Sequence, residues 1–331
     1  MIEVWLLFAF SALLTVGAAI KLSEYGDVIA ARTGLGGMFV GTLLLAGATS
    51  LPELLTTINS INQDVPDLAA GNIFGSCMFN MFMLAILDLL TRQSRILRRV
   101  TLNHALSAGM AVLIGSLAIV FILADVDFRI GWVGIDSLVL MAIYIGGIRL
   151  LNDSPAVAVE PELTMEQAAT MPSLRVALIG FAVATGVLLV IMPALVRSST
   201  GIAVSLGVST GFIGAALVAF ITSLPEVVTT ISAARIRAYD LAIGNLFGSN
   251  LFNIFALGIT DLFYTQGRFL GDIDPTMTLA AILGVTLTAM GLVGNVARIE
   301  KRFFFIEIDG LVIAVTYLLG MTLLYQRGLV L

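Results

Sequence analysis

Apolar residues run through almost the whole chain, interrupted by short polar or basic breaks. The apolar stretches fall at roughly 4–31, 35–61, 67–91, 102–124, 130–151, 174–196, 207–234, 240–264, 276–297 and 304–325. A membrane-crossing helix needs about 20 predominantly apolar residues, so each stretch predicts one span. The longest polar break, Asn152 to Pro172, carries three glutamates and three prolines. It reads as a linker, with a short surface helix predicted over Thr164–Thr170. Met1–Ile20 are apolar from the start, with Glu3 where a signal peptide would be basic, so they predict a first span and not a cleavable signal. The predicted fold class is an all-α polytopic membrane protein with ten transmembrane helices.

Composition agrees with that pattern. Of 331 residues 59% are apolar and only 12% charged, against roughly 25% charged in an ordinary soluble domain. This excludes a soluble enzyme with one packed core, a disordered chain and any large extramembrane domain. A transporter is expected, not an enzyme, and no cofactor is implied. The single cysteine, Cys77, cannot form an intrachain disulfide, and the single histidine, His104, cannot build a histidine metal cluster. A net charge of −5 leaves nothing basic enough for nucleic acid, so the expected surroundings are a lipid bilayer. Basic residues favour cytoplasmic connections. With the N-terminus outside, 13 of the 17 lysines and arginines lie in cytoplasmic connections, and only Arg129, Arg197, Arg268 and Arg327 face outward. Both termini are therefore expected on the extracytoplasmic side of a plasma or inner membrane.

The chain repeats itself. Thr49-Ser50-Leu51-Pro52-Glu53 recurs as Thr222-Ser223-Leu224-Pro225-Glu226, an offset of 173 residues. The same offset carries Gly71-Asn72 onto Gly244-Asn245, Gly75-Ser76 onto Gly248-Ser249, Asn80 onto Asn253 and Asp88 onto Asp261. It continues to Asp136 and Asp309, and to Tyr144 and Tyr317. Residues 1–152 therefore predict a first five-span repeat, 153–173 a cytoplasmic linker, and 174–331 a second five-span repeat. Five crossings are an odd number, so the second repeat must traverse the membrane in the opposite sense. Inverted repeats are an architecture of secondary transporters, with the ion site near the midplane where the repeats meet.

Identity between the copies concentrates on polar residues. Glu53 and Glu226 interrupt apolar spans, where a charge costs about 3 kcal/mol on insertion scales and normally faces a cavity or pathway. Thr49 and Ser50 precede Glu53 by four and three residues and share its helical face; Thr222 and Ser223 do the same for Glu226. Pro52 and Pro225 lack an N–H, which predicts broken helices and freed carbonyls at Ala48 and Ile221. Asn72, Ser76 and Asn80 form a polar stripe spaced by four, repeated by Asn245, Ser249 and Asn253. Gly71, Gly75, Gly244 and Gly248 predict close backbone approach. Carboxylates, amides and hydroxyls without thiolate or imidazole make a hard-oxygen set, suited to Na⁺, Ca²⁺ or Mg²⁺. Calcium, which accepts six to eight flexible oxygens, suits it better than magnesium.

The paired sequences TSLPE…GNIFGSCMFN and TSLPE…GNLFGSNLFN resemble the two α-repeats of the cation/calcium antiporter superfamily, most closely its sodium/calcium exchanger branch. The resemblance spans both halves. It implies a secondary-active antiporter exchanging Ca²⁺ for Na⁺ by alternating access. It also implies an ion site of Ala46, Thr49, Ser50, Glu53, Ser76 and Asn80 with Ala219, Thr222, Ser223, Glu226, Ser249 and Asn253. Residues 4–31 and 174–196 would be the spans that slide across the core. A cation/proton antiporter remains the alternative, because two carboxylates equally carry two H⁺ against one Ca²⁺. Two positions depart from the family pattern. Asn253 stands where well-known exchangers carry aspartate, and Cys77 where a second asparagine is usual, as Asn250 is in the other copy. The 152–173 linker is too short for the regulatory calcium-binding domains of animal exchangers.

The other polar residues predict mostly structural roles. Asp88 is expected to pair with Arg92, and Asp136 and Asp309 to orient their helices. Asp67 and Asp240 are expected as helix caps, with attraction of cations the other reading for them and for Asp64. Arg92, Arg95, Arg98 and Arg99 would fix topology, and His104 would lie at an interface.

Overall fold

The computed structural model describes residues 1–33, 46–90, 103–125, 127–152, 171–297, 302–303 and 306–328. The surface helix expected over Thr164–Thr170, the arginine cluster, the Asp88–Arg92 pair and the first part of the second span lie outside the described residues.

The first half contains α1 (Ile2–Thr33), a helical turn at 46–49, α2 (Leu51–Asn62), α3 (Pro66–Leu90), α4 (Asn103–Ala124) and α5 (Ile135–Asn152). The second contains α6 (Leu174–Leu206), α7 (Thr210–Thr222), α8 (Leu224–Arg235), α9 (Tyr239–Phe263), α10 (Thr276–Ala297) and α11 (Ile308–Arg327). Both ends of α2, α3 and α4 recur 173 residues later in α8, α9 and α10, so the sequence repeat is also a repeat of structure. The two-residue hairpin strands β1 (Arg129–Ile130) and β2 (Val133–Gly134) likewise recur as β3 (Arg302–Phe303) and β4 (Ile306–Glu307).

Among the described residues, seven helices are long and apolar enough to cross a membrane, or eight if α7 and α8 form one span bent by 44°. Two of the ten expected spans are not among them. The span 35–61 falls partly outside the described residues, and α5, with 18 residues, covers the span 130–151.

The α6 helix reaches Leu206, ten residues beyond the apolar stretch that predicted it. The polar run after Val196 does not end it, because Ser198, Ser199 and Thr200 donate to the carbonyls of Ala194, Leu195 and Val196. Polar side chains satisfied within their own helix are compatible with its continuation in an apolar environment. The helix stops at Gly207, whose φ of 65° is left-handed and open to glycine without strain. Two residues later Ser209 caps α7 by accepting from the Phe212 N–H at 3.2 Å.

The motif helices α3 and α9 occupy the centre and are mostly buried, whereas α1 and α6 are mostly uncovered by the rest of the protein. The α1 and α6 helices pack principally on each other, along the outside of the bundle. Each motif helix packs against the last helix of the other half. Phe82 of α3 stacks on Tyr317 of α11, with ring centroids 4.4 Å apart, and Phe255 of α9 stacks on Tyr144 of α5 at 4.1 Å. The second pair repeats the first with the halves exchanged, the signature of a two-fold relation.

Candidate cation site

Both motif helices of the TSLPE type are broken where the sequence predicts. Ser50 and Ser223 leave the helical region, with ψ of 7° and 2°, and new helices begin at Leu51 and Leu224 with proline in the first turn. Proline is tolerated there because the first-turn N–H has no intrahelical partner. The approach to the second break is itself irregular. Gly214–Val218 form a π-turn inside α7, a local widening frequent at functional sites. This turn lies against α3 so closely that a Cβ at Gly75 would stand 2.5 Å from Ala215 Cα, and one at Gly71 would strike the Gly211 carbonyl. The close approach expected of these two glycines is thus directed at the α7 backbone. Gly244 instead makes room for the His104 ring, 2.7 Å from the place of its missing Cβ.

The breaks bring both carboxylates to one place. Ser50 Oγ donates to Glu226 Oε1 at 2.9 Å, and Ser223 Oγ donates to Glu53 Oε1 at 3.0 Å. Each serine thus serves the glutamate of the other half. Ser249 adds a second donor to Glu226 Oε1 at 3.3 Å and lies 3.5 Å from Thr49 Oγ1. Thr222 donates to Asn72 Oδ1 at 3.1 Å, and Asn72 Nδ2 in turn donates to the Glu53 carbonyl at 3.1 Å. Asn80 Nδ2 donates to Asn250 Oδ1 at 3.0 Å.

All twelve residues of the expected ion site are buried, none more than 1% exposed. Five side-chain oxygens among them have no hydrogen-bond partner: Glu53 Oε2, Ser76 Oγ, Asn80 Oδ1, Glu226 Oε2 and Asn253 Oδ1. A buried polar atom without a partner costs about 1–3 kcal/mol, and a cation ligated by these oxygens removes that cost. Ala46 and Ala219 contribute only backbone. Their carbonyls accept from the Ser50 and Ser223 N–H groups at 2.9 and 3.0 Å and from the Thr49 and Thr222 hydroxyls at 3.2 and 3.4 Å. Among the described residues there is no group of three or more histidines, cysteines or acids able to hold a metal. The charge of the site therefore comes from the two glutamates alone.

Two participants escaped the sequence reading. Asn250 donates to the Cys77 carbonyl at 3.2 Å and to Thr288 Oγ1 at 3.0 Å. Its motif position was the available signal; Thr288 had none, because its repeat counterpart is Gly115.

Beyond the site, Asp136, expected to orient its helix, is ion-paired across the halves to a loop residue. It receives Arg268 Nη1 at 2.5 Å, and Arg268 also pairs with Asp125. The expected caps are something else. Asp67 accepts from the Asp274 N–H at 2.8 Å, and Asp240 lies 3.3 Å from His104. Both carboxylates reach a distant loop or helix. Asp64 takes a positive φ of 57° and accepts from Gln266 at 2.6 Å.

Membrane-length helices gathered around a buried pair of carboxylates define an integral membrane ion transporter. The chain belongs to the sodium/calcium exchanger family of membrane antiporters, whose model, described as sodium/calcium exchanger protein, matches residues 3–150 and 176–326. Inner membrane protein YrbG of Escherichia coli (strain K12) is 30% identical over 275 residues, 80% of this chain and 79% of that one. The fold of this chain is similar to that of the sodium-calcium exchanger NCX_Mj, with a TM-score of 0.61 and 23% identity, covering 97% of this chain and 99% of that chain. It is also similar to the H⁺/Ca²⁺ exchanger CAX, with a TM-score of 0.67 and 13% identity, covering 98% and 89%.

Proposed function

We propose that the chain exchanges Ca²⁺ for Na⁺ by alternating access, binding them in turn between Glu53 and Glu226. The observation that carries this reading is the exchange of serine donors. Ser50 and Ser223 each hold one oxygen of the opposite glutamate, while the second oxygen of each carboxylate has no partner. Two carboxylates balance one Ca²⁺, and the neutral oxygens of Thr49, Ser76, Asn80, Thr222, Ser249 and Asn253, with the carbonyls of Ala46 and Ala219, supply the remaining coordination. The same set accepts Na⁺, a hard cation of similar size. The description of the matching family model, sodium/calcium exchanger protein, supports the choice of Na⁺, and H⁺ is the alternative counter-ion, since the fold is shared with an H⁺/Ca²⁺ exchanger.

The architecture proposed is ten spans in two inverted repeats, 1–152 and 174–331, joined by a cytoplasmic linker at 153–173. Contacts between connections support it. Asp64 and Asp67 meet Gln266 and Asp274, and Asp125 meets Arg268, while His104 meets Asp240 at the other end of the motif helices. In an inverted pair the 62–67 connection and its repeat counterpart at 235–240 belong to opposite faces, and these partners support that placement. The uneven distribution of basic residues puts the linker in the cytoplasm and both termini outside an inner or plasma membrane. The α1 and α6 helices, paired with each other and lightly buried, are the proposed moving pair.

The test is Ca²⁺ uptake by proteoliposomes under an imposed Na⁺ gradient, an imposed pH gradient, or neither. Uptake that follows the Na⁺ gradient supports the proposal. Uptake that follows only the pH gradient transfers the same two glutamates to proton exchange, and uptake with neither refutes antiport.

A further inference from the structure

Cys77 and Asn250 are counterparts under the 173-residue offset, and they touch. Asn250 Nδ2 donates to the Cys77 carbonyl at 3.2 Å, and the Cys77 thiol approaches the Asn250 carbonyl at 3.9 Å. Only residues beside a two-fold axis can meet their own counterparts, so this pair marks the axis between the halves. The two side chains do unequal work there. Asn250 Oδ1 accepts from Asn80 Nδ2 at 3.0 Å, which fixes the Asn80 amide and leaves its Oδ1 without a hydrogen-bond partner. Asn250 is itself fixed by Thr288, which is anchored to the Gly284 carbonyl at 2.8 Å. Under the same two-fold relation residue 77 stands to Asn253 as Asn250 stands to Asn80, and there the chain has a thiol in place of an amide. A thiol is a weak acceptor, so it holds the Asn253 amide poorly.

We infer that Asn250 is a positioning residue that presents the Asn80 carbonyl to the cation, and that Cys77 leaves Asn253 as the loosely held, adaptable ligand of the pair. The inference rests on the cation site proposed above and deepens it. Coordination by Asn80 needs no reorientation, whereas Asn253 must be ordered each time an ion loads. The consequence is an unequal site. Replacing Cys77 by asparagine should supply the missing acceptor.

The experiment is a double-mutant cycle on the full-length protein in proteoliposomes, reading half-saturating Ca²⁺ and maximal flux separately. A net hydrogen bond corresponds to roughly a fivefold change in affinity. Asn250→Ala should raise half-saturating Ca²⁺ about fivefold in the native chain and hardly at all when Asn80→Ala is already present. Equal effects in both backgrounds would show that Asn250 only supports the fold, and would overturn the inference. Cys77→Asn decides the matter even if Asn250→Ala does not fold. It should lower half-saturating Ca²⁺ about fivefold, an effect that disappears with Asn253→Ala, and an unchanged value refutes the unequal site. Failure of the proposed function looks different: the native protein would then show no saturable Ca²⁺ flux at all.

Discussion

The hydroxyl of Ser50 donates to Glu226 Oε1 across 176 residues of sequence at 2.9 Å, and not to Glu53, the glutamate of its own motif. Each broken helix therefore supplies a donor to the carboxylate of its counterpart. Ser50→Ala should weaken Ca²⁺ binding about tenfold, since hydrogen bonds to charged groups are worth about 1.5–3 kcal/mol. Ser223→Ala should show a similar loss through Glu53, and half-saturating Ca²⁺ in the two single variants measures it.

Glu53→Gln and Glu226→Gln should each abolish Ca²⁺ flux while the protein stays folded and inserted. The amide keeps volume and one acceptor oxygen but removes the charge that offsets cation dehydration. Flux in proteoliposomes alongside a size-exclusion profile in detergent checks both halves of the statement. Asn80→Ala or Asn253→Ala should act more mildly, raising half-saturating Ca²⁺ several-fold without abolishing flux.

Asn253 limits the acids of the site to two. Two negative charges balance one Ca²⁺ or two monovalent ions, so exchange should be independent of K⁺ and nearly independent of voltage. The measurement is Ca²⁺ flux at clamped potentials, with and without K⁺. A K⁺ requirement or a steep voltage dependence contradicts the two-acid accounting. Asn253→Asp should make the flux more voltage-dependent by allowing a third monovalent ion to load.

Arg268 is 3% exposed and is held between Asp136 and Asp125. Removing one member of a buried ion pair strands the other and costs about 3–5 kcal/mol. Arg268→Leu should therefore lower the melting temperature markedly, and Asp136→Asn should do so to a similar degree. The double variant should be less destabilised than the sum of the two, which thermal unfolding in detergent can read directly.

Gly75→Ala would place a Cβ 2.5 Å from the Ala215 backbone, where no flexible side chain can yield. The expected cost is about 1–3 kcal/mol of overpacking, together with slower flux because α3 and the π-turn of α7 are pushed apart. Gly186→Ala, at a position with nothing within 4 Å of the added carbon, is the control and should leave melting unchanged.

The amino-acid sequence alone determined the apolar spans, the 173-residue repeat, the helix breaks before Pro52 and Pro225, and the polar set Thr49, Ser50, Glu53, Ser76 and Asn80 with its second copy. These are local: hydropathy, the missing proline N–H and the four-residue spacing each act within one helix. Tertiary structure decided which copy serves which. That Ser50 reaches Glu226, that Asp136 meets Arg268, and that Asp67 holds the Asp274 N–H all depend on how one half is placed against the other. Helical periodicity names the face a side chain occupies but not what faces it. The true end of α6 was hidden for a related reason. Ser198, Ser199 and Thr200 read as a polar boundary, yet in the folded helix their hydroxyls are turned back onto carbonyls of the preceding turn, where they no longer oppose an apolar environment.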